Sequence, residues 1–157
     1  MAKTRIEIVG DISEDEWVDR WPQIRLDQFN HIEFMTTETL DLLNIMCKEA
    51  EIMHSWAHTI NSDFRDDDKG QHGLGKAIDL VFYFRTPGDV NVIEQFVFAL
   101  RFNWSGIGFY PYWFIPGIHV DTRELNKPYK ALWWRGKDRK YYAGDEFMNN
   151  LNWEMNA

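Results

Sequence analysis

The sequence predicts a single domain of the α+β class over residues 1–157, with helices packed on a small, mainly antiparallel sheet. Three observations favour this class. One long stretch with helical periodicity lies in the first half, several short β segments fill the second half, and no internal repeat or Pro-, Gly- or Ser-rich linker separates them. A chain of 157 residues is long enough to bury one hydrophobic core.

Three helices are predicted from capping residues and from the spacing of apolar residues. The segment SEDEWVDRW begins with Ser13 and has Glu16 three residues later, the capping-box pattern of a helix start. The segment TTETLDLLNIMCKEAEIMHSWA repeats apolar residues at intervals of three and four, which places them on one helix face. A similar spacing predicts a further helix within Asp89–Arg101. The apolar face of the long helix consists of Leu40, Leu43, Met46, Cys47, Ala50 and Met53.

The predicted strands are short. TRIEIV could form a strand near the N-terminus, and HTINSDFR forms one that leads into the glycine-containing loop DDDKGQHGLG. The segment KAIDLVFYF has the continuous apolar pattern of a buried strand, interrupted by the carboxylate of Asp79. Four further segments complete the predicted sheet, namely GIGFYP, GIHVDTR, ALWW and KYYAG.

Charge and cysteine content exclude several classes of protein. The net charge is −8 and no basic block occurs, which argues against nucleic acid and anionic membranes as partners. Cys47 is the only cysteine, so an internal disulfide framework and a cysteine-rich zinc site are excluded. No apolar run has the length of a membrane span, and no signal peptide is evident. We therefore expect a monomer without a membrane span that is synthesised in the cytoplasm.

Two sets of residues could bind a metal ion. His54 and His58 are four residues apart at the end of the predicted long helix, which would place both imidazoles on one face. The other set is His72 in the glycine-containing loop, Asp79 in the buried strand and His119 in a neighbouring strand. Two imidazoles and one carboxylate are the ligands of a catalytic zinc ion. Taken alone, Asp79 could equally be a carboxylate bonded to the backbone or paired with an arginine.

Three segments resemble the signatures of the zinc D,D-peptidase family. The run from His72 to Asp79 is similar to its H-x-x-G-x-A-x-D motif, and GIGFYPYWFIPGIHVDTR is similar to its G-[IV]-G-x-Y segment followed by H-[VL]-D. INSDFR is similar to the strand that precedes the first ligand. The family includes D-alanyl-D-alanine carboxypeptidases, murein endopeptidases and phage L-alanyl-D-glutamate endolysins, and it shares its fold with the hedgehog signalling domain.

The resemblance implies roles for individual residues. His72, Asp79 and His119 match the zinc ligands, and Arg65 matches an arginine that faces the scissile carbonyl. The alternative for Arg65 is a surface ion pair with the DDD segment that follows it. The chain departs from the carboxypeptidase branch because Pro116 stands three residues before the last histidine, where that branch has its glutamate base.

The sequence is closer to the H-x-D branch. Asp121 lies on the same strand face as His119 and would act either as the base or as the hydrogen-bond partner of that imidazole. Tyr110 and Trp113 would form walls of a substrate cleft, unless they only pack in the core.

The function expected from the resemblance is zinc-dependent hydrolysis of an amide bond in a peptidoglycan peptide. Such a protein would act on the cell wall, for example as a phage lysis protein or a virion component. Two other classes remain open. One is a non-catalytic, zinc-stabilised binding or structural module of the same fold, which the missing glutamate at Pro116 favours. The other is an aromatic-rich carbohydrate-binding domain, for which ligand binding would be insensitive to chelators.

Overall fold

The structure, a computed structural model, describes residues 7–148 and residue 151 and confirms the α+β class. Two α-helices precede the first strand, a third lies between the second and third strands, and the sheet has six strands in the order β1-β2-β4-β3-β5-β6. The α-helices are α1 (Glu14–Arg20), α2 (Thr37–His54) and α3 (Val92–Ala99). The strands are β1 (Ala57–Ser62), β2 (Ala77–Tyr83), β3 (Gly106–Tyr110), β4 (Gly117–Asp121), β5 (Ala131–Arg135) and β6 (Tyr141–Ala143).

Both early helices begin at a side-chain cap, and the sequence predicts the first of these caps, Ser13. The side chain of Ser13 accepts a hydrogen bond from the backbone N–H of Glu16, and Thr36 caps α2 in the same way. The helix α2 ends at His54, three residues earlier than predicted, because Ser55 adopts a left-handed conformation with φ of 55°. The chain then enters β1 at Ala57.

The third helix begins later than predicted. Asp89 does not start α3, since its carboxylate accepts hydrogen bonds from the backbone N–H groups of Phe84, Arg85 and Thr86 and so closes the preceding turn. Asn91 is the N-cap, with its side chain accepting from the N–H of Ile93.

The sheet is antiparallel except at one pair of strands. β2 pairs with β1 and β4, β4 also pairs with β3, and β5 pairs with β6, all antiparallel, whereas β3 and β5 run parallel. The predicted strand TRIEIV is not part of this sheet in the described residues. Within it Ile8 forms one isolated bridge to Thr36, and residues 1–6 lie outside the described part.

The two faces of the sheet have different roles, because side chains alternate along each strand. One face packs against α2 and α3 and forms the hydrophobic core. It contributes Ile78, Leu80, Phe82, Ile107, Phe109, Ile118, Val120 and Trp134. The opposite face carries Asp79, His119, Asp121 and Trp133. Within the described residues, no helix has the length and apolar character that crossing a membrane requires.

Candidate metal centre

The centre is built on one row of residues that crosses four strands. Asp79 of β2 lies opposite His119 of β4, which lies opposite Gly108 of β3, and Gly108 lies opposite Trp133 of β5. Residues that are directly opposite in neighbouring strands point to the same face of the sheet. The pairing therefore brings Asp79 and His119 together, as the sequence predicts.

The loop between β1 and β2 supplies His72 from a short 3-10 turn, Gln71–Leu74. Two glycines allow this turn to pack closely. A Cβ atom at Gly73 would overlap the carbonyl oxygen of Asp68, and one at Gly75, which has φ of 68°, would overlap the carbonyl oxygen of Phe34. These glycines thus serve close packing as well as chain reversal, and they leave His72 only 3% exposed.

Three potential ligand atoms converge in this buried site. His72 Nε2 lies 3.2 Å from Asp79 Oδ1, and His119 Nδ1 lies 2.9 Å from the same oxygen. One potential ligand atom from each of the three residues lies within 4.8 Å of the other two. A buried His72, Asp79 and His119 group can therefore hold a metal ion, and among the described residues it is the group with this property.

The second nitrogen of each imidazole is held by an acceptor. His72 Nδ1 lies 2.7 Å from the carbonyl oxygen of Asp63, and His119 Nε2 lies 2.8 Å from Asp121 Oδ2. A carbonyl or ionised carboxylate only accepts, so both of these nitrogens carry the proton. In the neutral imidazoles, His72 Nε2 and His119 Nδ1 then present lone pairs towards Asp79.

A cation fits this arrangement of acceptors. His72 Nε2 is buried and has no hydrogen-bond partner, although Asp79 is adjacent. Two imidazole lone pairs and a carboxylate oxygen that face one another repel unless a proton or a metal ion lies among them. The donor set is suited to zinc and other borderline divalent metals.

The charges in the site depend on its hydrogen bonds. Burial opposes ionisation of Asp79, but the hydrogen bond with His119 and the proximity of His72 outweigh it and lower the pKa of Asp79 to about 2. Burial likewise opposes protonation of His119, but hydrogen bonds to Asp121 and Asp79 outweigh it and raise the pKa of His119. The raised pKa of His119 and the lowered pKa of Asp79 both reflect the stabilisation of positive charge beside these carboxylates.

Asp121 is fixed from two sides. Its side chain is 0% exposed, and its carboxylate accepts hydrogen bonds from Arg123 Nε at 2.9 Å and Arg123 Nη2 at 2.6 Å as well as contacting His119. Burial raises the pKa of Asp121, but these hydrogen bonds outweigh it and lower the pKa to about 2. The ionised carboxylate therefore orients the His119 ring.

The GIG segment of β3 leaves room for these groups. A Cβ atom at Gly106 would lie 2.5 Å from Asp121 Oδ1, and one at Gly108 would overlap the indole of Trp133. The guanidinium of Arg123 lies over the Trp133 ring, 4.8 Å from its centre. Both glycines are therefore required by the side chains on the neighbouring strands.

A cleft of about 330 Å³ opens beside the three ligand residues. Arg65, Tyr110 and Trp113, all predicted site residues, line it. Arg65 forms an ion pair with Asp68, with 3.1 Å between Nη2 and Oδ2. The rings of Tyr110 and Trp113 are stacked, with centres 4.2 Å apart.

Neighbouring aromatic residues are placed differently. Trp133 lines the cleft, whereas Trp134 is fully buried in the core, as expected for adjacent strand residues. Phe114, the residue after Trp113, is fully exposed.

The alternative histidine pair does not form on a helix face. His54 is the last residue of α2, and its ring stacks on Trp56 with centres 4.4 Å apart. His58 lies in β1 and packs edge-on against Phe82. The prediction for this pair is wrong because it required α2 to continue through Ser55 to His58.

Sequence reasoning missed four contributors to the site. Arg123 could have been found, since it follows Asp121 by two residues on an extended segment, and such residues share a face. Asp68 and Arg135 line the cleft but gave no signal beyond their charge. Asp63 acts through its backbone carbonyl, which every residue has.

Comparison of the chain with protein-family models, curated proteins and solved structures found no match in any of the three.

Proposed function

We propose that this chain is a zinc-dependent peptidase that hydrolyses an amide bond in peptides of peptidoglycan. The observation that carries the proposal is the convergence of His72 Nε2, Asp79 Oδ1 and His119 Nδ1 beside an open cleft. Two histidines and a carboxylate with an accessible fourth position are typical of catalytic zinc sites. The substrate class follows from the resemblance to the zinc D,D-peptidase family.

The cleft offers groups for the other parts of the reaction. A bound zinc ion would supply a Lewis acid and lower the pKa of a water molecule. Arg65 keeps part of its guanidinium exposed in the cleft while Asp68 holds the rest, so its positive charge can stabilise negative charge that develops on the scissile carbonyl oxygen. Tyr110 and Trp113 provide a flat apolar wall against which a peptide can pack.

We assign proton transfer to Asp68 and orientation of His119 to Asp121. Asp121 has no exposed side-chain surface, and both of its oxygens are engaged by Arg123 and His119, so it has no access to a substrate in the cleft. Asp68 is the carboxylate other than Asp79 that lines the cleft in the described part of the chain. Its ion pair with Arg65 holds the carboxylate at the cleft wall, where it can accept a proton from a bound water molecule.

A second candidate function is a non-catalytic module in which the metal ion only stabilises the loop. Pro116 favours this reading, because proline cannot transfer a proton at the position where the carboxypeptidase branch has its glutamate. The burial of Asp121 favours it further, because Asp68 then has to act alone.

A digest of purified peptidoglycan separates the two functions. The zinc-loaded protein, the chelated protein, His72→Ala and the control His54→Ala, which changes an exposed histidine outside the site, are incubated with the wall, and the products are read by mass spectrometry. We expect new fragments from the zinc-loaded protein and from His54→Ala only. A protein that retains one zinc ion per chain but releases no fragment from any wall type would instead be the non-catalytic module.

A further inference from the structure

We propose that Arg135 forms a binding subsite for a carboxylate of the substrate, so that the peptide which enters the cleft is acidic. The inference deepens the proposed function and rests on it for the identity of the ligand as a peptide. The subsite consists of Arg135 with Lys137 and Arg139 and the stacked rings of Tyr110 and Trp113.

The position of Arg135 follows from the register of the sheet. It lies two residues after Trp133 in β5, so its side chain is on the face of the metal centre, and it lines the same cleft as His119. His119 and Trp133 are two strands apart through Gly108. With strands about 4.8 Å apart and about 6.7 Å between alternate residues, the Cα atoms of His119 and Arg135 are about 12 Å apart. That distance corresponds to a few residues of extended peptide.

Arg135 differs from the other arginines of the cleft in its charge balance. Arg65 is paired with Asp68, and Arg123 is paired with Asp121. No carboxylate of the described residues lies within ion-pair distance of Arg135. Among the arginines that line the cleft in the described part of the chain, Arg135 is therefore the one without an ion-pair partner.

The guanidinium is held in place but keeps donors free. Nε donates a hydrogen bond to the carbonyl oxygen of Arg139 at 3.2 Å, and the group lies over the ring of Tyr141, 5.5 Å from its centre. The two Nη groups donate to no described residue. An oriented guanidinium with both Nη groups available can bind a carboxylate with two parallel hydrogen bonds.

Further positive charge surrounds Arg135. An adjoining cavity of about 270 Å³ shares Tyr110, Trp113 and Arg135 with the cleft and adds Lys137 and Arg139. Asp138 lies in the same turn, but its carboxylate accepts hydrogen bonds from the Lys140 N–H and the Tyr142 hydroxyl. Three cations on one wall of a chain with a net charge of −8 favour an anionic ligand at this place.

Binding of three acetylated peptides to the full chain tests the inference, with and without zinc. Acetyl-D-Ala-D-Ala has a C-terminal carboxylate, acetyl-L-Ala-D-Glu with an amidated C-terminus has only a side-chain carboxylate, and acetyl-D-Ala-D-Ala amide has none. Titrations followed by NMR shifts compare the wild type, Arg135→Gln and the control Arg85→Gln. Arg85 is a matched control because it is exposed and lies 5.2 Å over the neighbouring ring of Phe84, away from the cleft.

We expect at least one carboxylate peptide to bind the wild type and the Arg85→Gln variant about tenfold more tightly than the amide. Arg135→Gln should remove that difference and leave binding of the amide unchanged. Whichever carboxylate peptide loses affinity identifies a terminal or a side-chain group as the ligand. Equal binding of all three peptides, absence of binding by all three, or an unchanged preference in Arg135→Gln would overturn the inference. Because the zinc-free protein is also titrated, the subsite can be found even where no peptide is cleaved.

Discussion

Replacing Arg123 with methionine removes every hydrogen bond that the guanidinium donates to Asp121 and keeps the aliphatic part of the side chain over Trp133. Three donor–acceptor contacts of 2.9, 3.1 and 2.6 Å are lost, and a carboxylate with 0% exposure keeps only His119 and one backbone N–H as partners. Breaking a buried ion pair costs about 3–5 kcal/mol. The Arg123 side chain is 29% exposed, so we expect a loss of about 2–3 kcal/mol in the free energy of unfolding.

The same substitution should weaken metal binding. Asp121 orients His119 only while its own position is fixed, and groups that orient a ligand typically contribute about 10–100-fold to metal affinity. Urea unfolding in the presence of a chelator measures the stability, and competition with a chromophoric chelator measures the zinc affinity. The control is Arg25→Met, which removes an Arg–Asp pair of the same sequence spacing, Arg25 with Asp27, at an exposed position.

The two variants should therefore differ strongly. Arg25→Met should leave both the stability and the zinc affinity at the wild-type values, since exposed ion pairs contribute little. If Arg123→Met behaves like Arg25→Met in both assays, then the link from Arg123 through Asp121 to the metal ligand is refuted.

Three further predictions follow from other parts of the structure. Gly73→Ala should lower zinc affinity more than Gly70→Ala in the same chelator competition. A Cβ atom at Gly73 would overlap a backbone oxygen, whereas one at Gly70 would lie 3.0 Å from a movable Asp68 side-chain oxygen. Equal effects of the two substitutions would contradict this packing argument. Burial lowers the pKa of His58 from its usual 6.5 to about 4, so between these pH values the unfolded chain binds more protons than the folded chain. The free energy of unfolding should therefore decrease by up to about 3 kcal/mol as the pH falls from 6.5 to 4. Urea unfolding at several pH values should show this loss for the wild type and not for His58→Gln. The same pH dependence of the unfolding free energy in both proteins would refute the role of His58. Trp134→Ala should lower the free energy of unfolding by about 3–5 kcal/mol, and Trp133→Ala should lower it clearly less. Of these two residues only Trp134 is fully buried in the core, whereas Trp133 lines the cleft. The reverse order would contradict the assignment of the two sheet faces.

Much of the scaffold could be predicted because local signals were strong. The apolar spacing in α2 and the cap Ser13 follow from local geometry, and both helices begin where the sequence predicts them. The end of α2 was missed because Ser55 is not a typical left-handed residue, so nothing in the sequence marked the turn that carries His58 into β1.

The candidate site was only partly predictable. Asp79 stood out as a carboxylate in an apolar strand, and the period of two placed Asp121 beside His119. The register that sets Asp79 opposite His119 depends on long-range pairing, which no local pattern encodes. The carbonyl of Asp63 and the positions of Asp68 and Arg135 around the cleft depend on the packed loops in the same way.

The division of the sheet into two faces has a consequence for how a metal ion would enter and leave the candidate site. The apolar residues that drive folding lie on one face, whereas two of the three ligands extend from the other face, from β2 and β4, each hydrogen-bonded to strands on both sides. The third ligand, His72, belongs to the loop of residues 63–76. An ion held in this way would fasten a loop to a sheet whose core does not include the ligands, in contrast to zinc fingers, in which the metal ion organises the whole fold. Entry and release of such an ion would then require a movement of this loop alone, because Asp79 and His119 are held by the pairing of β2 and β4.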